Sequence, residues 1–156
     1  MPDEPNQNGV PRVLLADDGR ETLALLHGIL QYEGVDVIGV AANGFEAVDM
    51  ADRLRPDVVL MDLRMPGLDG FEATQSIKEA HPWIQVVFLT YYDELLPKRS
   101  PQETGAFAYL LKGCSPGLMR DVIFRAAREA WSKRWGSEPG EPASRAPGSP
   151  RAASAG

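Results

Sequence analysis

Apolar residues gather along the chain in short runs, and four of these runs end on a reactive polar group. Val13-Leu14-Leu15-Ala16 leads into Asp17-Asp18, and Val58-Val59-Leu60-Met61 leads into Asp62. Val86-Val87-Phe88-Leu89 leads into Thr90, and Ala108-Tyr109-Leu110-Leu111 into Lys112. Runs without polar alternation read as strands of a sheet covered on both faces. Strands are predicted over residues 12–16, 35–41, 58–61, 85–90 and 107–111. Between them the apolar spacing becomes helical. Leu23, Leu26 and Leu30 mark residues 20–33; Ala47, Val48, Ala51 and Leu54 mark 44–54; Phe71, Ala73, Thr74 and Ile77 mark 70–80. The longest helix is predicted over 116–135, with Ser115 as N-cap and Pro116 at its first position. Alternation of strand and helix with short loops predicts right-handed crossovers and an α/β fold, a doubly wound five-stranded parallel sheet.

Parallel strands share a direction, so Asp17, Asp18, Asp62, Thr90 and Lys112 are expected at one edge of the sheet. That edge is where open α/β sheets place ligands. Three carboxylates, a hydroxyl and an ammonium in one crevice suit a divalent cation and a phosphoryl group.

Composition narrows the class. A chain of 156 residues, 44% apolar and 24% charged, can build one globular core. Its net charge of −6 argues against nucleic-acid binding by this chain alone. The lone Cys114 cannot form an internal disulfide, which suits a reducing cytoplasm. No run approaches the roughly 18 apolar residues of a membrane span, and the N-terminus lacks a signal-peptide pattern. Residues 1–11 read as a flexible arm. Residues 136–156 hold 17 Gly, Pro, Ala or Ser among 21 and read as a disordered tail without an output domain. The folded unit is therefore expected over 12–135.

The Asp pair after the first strand, the stretch MDLRMPGLDG around Asp62, and Thr90 and Lys112 after the last two strands resemble the receiver domain of bacterial two-component response regulators. The resemblance covers about residues 12–130. The stretches LTYYDE and YLLK are similar to the receivers that are usually joined to helix-turn-helix output domains. The resemblance implies a flavodoxin-like strand order, 2-1-3-4-5. It implies that Asp62 accepts a phosphoryl group from a histidine kinase or phosphotransfer protein. It implies Mg²⁺ held by Asp18, Asp62 and the backbone carbonyl of Arg64, with Asp17 acting through a metal-bound water. Lys112 would pair with Asp62 and then with a phosphoryl oxygen, and Thr90 would donate to another. Thr90 and Tyr109 would form the switch that alters a protein-binding face. Such a protein catalyses only its own phosphorylation and dephosphorylation.

The chain departs from the family pattern in three places. Tyr91 stands where a small residue is common; Tyr91 and Tyr92 are placed to shield the phosphoryl group or, alternatively, to cover apolar surface. Gly113 stands where proline often follows the lysine, so no cis bond is expected there. The fourth helix of the family falls on DELLPKRSPQET, residues 93–104. Pro97 and Pro101 each cost a helix interior about 3 kcal/mol, so this segment is expected to be irregular, with at most one helical turn starting at Pro101.

In the last helix, Met119, Val122, Ala126 and Ala130 form the expected core stripe. Phe124, Trp131 and Trp135 then fall together on the opposite face with Arg128 alongside, an expected partner or homodimer surface. His27 and His81 read as helix-surface residues, and Cys114 as a small buried thiol. The leading functional reading is a stand-alone, cytoplasmic response regulator with an unnamed downstream protein partner. The alternatives are the receiver part of a DNA-binding regulator and a phosphorylation-independent scaffold. A phosphatase with an aspartate nucleophile ranks lower, because Arg64 stands where its second Asp is needed.

Overall fold

A computed structural model describes residues 8–91 and 101–136. Its strands are β1 (Arg12–Ala16), β2 (Asp36–Ala41), β3 (Val58–Met61), β4 (Gln85–Thr90) and β5 (Ala108–Leu111). Its helices are α1 (Arg20–Tyr32), α2 (Gly44–Leu54), α3 (Gly70–Ala80), α4 (Pro101–Thr104) and α5 (Pro116–Trp135). Every strand pairing is parallel, and the order is β2-β1-β3-β4-β5. The doubly wound sheet expected from the apolar runs is therefore present. Two strands start one residue later than the spacing predicts and α1 ends one residue earlier, which is ordinary fraying.

Strand alternation sorts the core into two layers. Val13, Leu15, Val58, Leu60, Val87 and Leu89 face α1 and α5; Leu14, Val59, Met61, Val86 and Phe88 face α2 and α3. Both layers are apolar, which explains why the runs show no polar alternation.

Local chemistry sets the helix starts. Asn43 accepts from the Glu46 N–H at 2.9 Å and caps α2. Asp69 and Glu72 form a reciprocal capping box on α3, with bonds of 2.8 and 3.1 Å. Ser115 caps α5 ahead of Pro116, as the sequence predicts. At the other end of α2, the Arg12 guanidinium donates to the carbonyls of Arg55 and Leu54 at 2.8 and 3.0 Å. His81, the C-cap of α3, pairs through Nε2 with Asp52 at 2.9 Å.

Two expectations concern segments only partly described. A single helical turn, Pro101–Thr104, is present where at most one was expected. The rest of that segment, with Tyr92, lies in residues 92–100, outside the described residues; so do residues 1–7 of the expected arm and 137–156 of the expected tail. Pro11, assigned to the arm, is buried, and its carbonyl accepts from the Asp36 N–H at 3.0 Å.

The partner surface expected on α5 needs correction. Trp131 is buried, 3% exposed, and Phe124 and Trp135 are half-buried against the same core; only Arg128 of the four is exposed. The buried arc also includes Ile123 and Ala127, which the four-residue stripe omitted. Trp131 stands only about 120° around the helix from Met119. Ala126, Ala127 and Ala130 are small enough to let α5 lie close to the sheet, so flanking side chains reach the core.

Asp57, just before β3, is buried at the opposite edge of the sheet from the reactive groups. Its carboxylate accepts from the Arg12 N–H at 2.9 Å. Burial nevertheless pushes its pKa up, against the lowering effects of Arg12, the nearby Trp131 indole N–H and Arg134. Among the described residues, that indole N–H has no hydrogen bond of good geometry.

Two outcomes follow from this packing. Trp131→Ala should cost about 3–5 kcal/mol in urea unfolding, as for other buried aromatics, whereas Arg128→Ala should stay within about 0.5 kcal/mol. The raised pKa of Asp57 means that the folded state holds that proton more tightly than the unfolded chain. Its contribution to stability is present in acid and is lost as pH rises through the folded value. The stability of Asp57→Asn relative to wild type should therefore increase between about pH 3 and pH 7. A pH-independent difference in denaturation midpoint would contradict this.

Candidate functional site

The reactive groups are positioned by backbone bonds that continue the sheet past its strand ends. The Asp17 N–H donates to Ala41 at 3.0 Å, the Asp62 N–H to Ala16 at 2.9 Å, and the Lys112 N–H to Thr90 at 2.7 Å. Each chain is therefore fixed to its neighbour at the residue that carries the chemistry, and the side chains converge at the C-terminal edge.

Carboxylate oxygens of Asp17, Asp18 and Asp62 all lie within 4.8 Å of one another. Asp17 and Asp62 are buried, and Asp18 is exposed at the rim. Lys112 Nζ lies 3.0 Å from Asp17 Oδ2 and 3.4 Å from Asp62 Oδ1. Burial alone would lower the Lys112 pKa; bonds and charges from Asp17 and Asp62 outweigh it and raise the value. Asp17 Oδ1 accepts from the Gly19 N–H at 2.8 Å, so both its oxygens have protein donors.

Thr90 ends β4 fully buried, beside Lys112 through the backbone bond. Tyr109 is half-buried; its ring lies edge-on to Phe88 at 5.4 Å, and its hydroxyl donates to Thr104 Oγ1 at 3.3 Å. Arg64 is exposed on the loop after β3. Tyr91 is 57% exposed, and Lys112 Nζ sits 4.8 Å from its ring centroid. The spacing did not reveal this cation–π contact, because it joins the ends of two strands distant in sequence. Burial pushes the Cys114 thiol pKa up, in keeping with an unreactive side chain.

The donor set fits a hard divalent cation. Three carboxylates and one ammonium sum to −2, every donor is oxygen, and the cluster is open at Asp18. Such a site can hold Mg²⁺ while it presents Asp62 to an electrophilic phosphorus. Among the described residues, no helix is long and apolar enough to cross a membrane.

The chain is similar to known proteins in sequence and in fold. The chain is 33% identical over 112 residues to sporulation initiation phosphotransferase F of Bacillus subtilis (strain 168), covering 72% of this chain and 90% of that protein. It is 40% identical over 114 residues to the response regulator GacA of Pseudomonas viridiflava, covering 72% of this chain and 53% of that protein. It is 43% identical over 105 residues to protein-glutamate methylesterase/protein-glutamine glutaminase 2 of Methanospirillum hungatei JF-1, but spans 65% of this chain and only 30% of that protein. The receiver domain of sensor histidine kinase PA1611 from Pseudomonas aeruginosa PAO1, solved with a magnesium ion coordinated in its active-site cleft, superposes with a TM-score of 0.67 at 28% identity, covering 76% of this chain and 98% of that one. Residues 13–124 match the response regulator receiver domain, and the chain belongs to that family.

Proposed function

We propose that this receiver accepts a phosphoryl group on Asp62 from a phosphohistidine of a histidine kinase or phosphotransfer protein, and that phosphorylation switches its protein contacts. The observation that carries this reading is Lys112 Nζ set between Asp17 and Asp62, at 3.0 and 3.4 Å, inside a cluster of three carboxylates. An Asp62 oxygen attacks phosphorus, the phosphorus–nitrogen bond breaks, and the imidazole leaves as an acyl phosphate forms. Lys112 moves from carboxylate to phosphoryl oxygen, and Thr90 donates to a second oxygen. Asp18, Asp62 and the Arg64 carbonyl would hold Mg²⁺. Asp17, already bonded to Lys112 and Gly19, would act through water. When bound, the cation neutralises charge that develops on the transferring phosphoryl group. Tyr109 would respond to movement of Thr90 and carry the change to the surface around Thr104. A cytoplasmic setting fits this chemistry.

The single-domain form is supported by coverage of 90% of sporulation initiation phosphotransferase F. Coverage of 53% of GacA supports the second reading, a receiver joined to an output domain. The chemistry at Asp62 is the same in both.

Labelling with a phosphorylated kinase tests the assignment. Asp62→Ala should abolish phosphate incorporation, and Asp18→Ala should weaken Mg²⁺ binding measured by calorimetry. Incorporation at wild-type yield in Asp62→Ala would favour a different acceptor, and a wild type that takes up no phosphate would favour a phosphorylation-independent scaffold.

Tyr91 over Lys112 supports a gating role at the entrance. A surface cation–π contact is worth about 0.5–1 kcal/mol, so Tyr91→Ala should accelerate labelling by a small phosphodonor about two- to fivefold. Unchanged kinetics would show that the ring only covers surface.

A further inference from the structure

Phe45 is the second residue of α2 and is 63% exposed, so burial of its own surface does not explain its place. Its ring lies against Gly67 in the loop between β3 and α3. A Cβ on Gly67 would fall 2.8 Å from Phe45 Cε2 and 3.3 Å from Cδ2. Gly67 has φ 82°, a conformation that glycine adopts without strain. One residue earlier on α2, a Cβ on Gly44 would fall 2.1 Å from the Leu68 carbonyl oxygen, so the helix backbone also touches the loop.

Both supports of this contact are fixed. The start of α2 is held by Asn43 on the Glu46 N–H and by Glu46 on the Ala42 N–H, at 2.9 and 2.8 Å. The far end of the loop closes at Gly70, whose N–H donates to Leu63 at 2.8 Å and whose Cβ, if present, would lie 2.4 Å from the Asp62 carbonyl oxygen. Residues 64–68 form the crest between these anchors, and the crest leans on α2.

We propose that Phe45 is a positioning residue for the phosphorylation loop: by packing on Gly67 it holds the loop in the arrangement in which Arg64 and Asp62 receive the cation. This inference rests on the function proposed above. A binding-competent loop populated only part of the time weakens apparent affinity by that fraction. A crest competent about one third of the time loses about threefold.

Mg²⁺ titration calorimetry and amide exchange on the full chain test the proposal. Phe45→Ala should raise the Mg²⁺ dissociation constant about threefold and speed exchange at Gly67, Leu68 and Asp69 without cation. Its melting temperature should stay near that of wild type, because the side chain is mostly exposed. Phe45→Leu, which keeps an apolar contact, should restore both readouts, and it serves as the folded control if the alanine variant is unstable. Wild-type affinity and exchange in Phe45→Ala would overturn the positioning role while leaving the proposed function intact. A wild type that binds no Mg²⁺ would overturn both.

Discussion

Three carboxylates within 4.8 Å of one another repel, by about 3 kcal/mol per pair at an effective dielectric constant near 20. No local preference of the chain would gather them. The parallel register does, because Asp62 is tied to Ala16, the residue before Asp17, and Lys112 is tied to Thr90. Close packing on both faces of the sheet sets this register, since a one-residue slip would exchange the side chains fitted to α1 and α5 with those fitted to α2 and α3. Lys112 relieves part of the repulsion, and the remaining −2 charge makes the site receptive to a divalent cation.

Two buried aspartates bracket the same four-residue strand, and they show why residue type alone does not define a site. Asp57 precedes β3 and meets a backbone N–H of β1, and burial pushes its pKa up. Asp62 follows β3 and meets an ammonium and two other carboxylates. The first joins strands at the N-terminal edge, where parallel sheets show their structural end. The second lies at the C-terminal edge, where loops can open to a ligand. Strand direction separates the two roles.

The parts of the molecule that were legible in the sequence are those where one rule acts alone. Val58–Met61 and Gln85–Thr90 are entirely buried, so continuous apolar runs marked the first throughout and the second over Val86–Leu89. Ser115 and Pro116 marked the start of α5 because capping is local. Asp17, Asp18 and Asp62 were legible as a group once strand direction was known. The outer face of α5 was not, since wheel angle gives direction and not the depth to which a helix sinks. That depth depends on Ala126, Ala127 and Ala130 together with the sheet beneath them, and it drew Trp131 inside. The contacts of Tyr91 with Lys112 and of Phe45 with Gly67 were illegible for a related reason: each joins residues on different elements, where no period in the sequence reports the approach.

The choice of lysine at position 112 follows from the same geometry. The backbone of Lys112 is anchored to Thr90, and Gly113, at φ 94°, turns the chain away immediately afterwards. The strand end is thus fixed, and the ammonium reaches the cluster on a flexible stem. It stands closer to Asp17, at 3.0 Å, than to Asp62, at 3.4 Å. A compact point charge can shift between these partners, or to a third oxygen nearby, by side-chain rotation alone. A planar guanidinium would favour a two-bond fork with one carboxylate and would lose that fork on moving. The phosphoryl transfer proposed at Asp62, in which the cation holds Asp62 first and a different oxygen afterwards, therefore favours an ammonium on a fixed backbone.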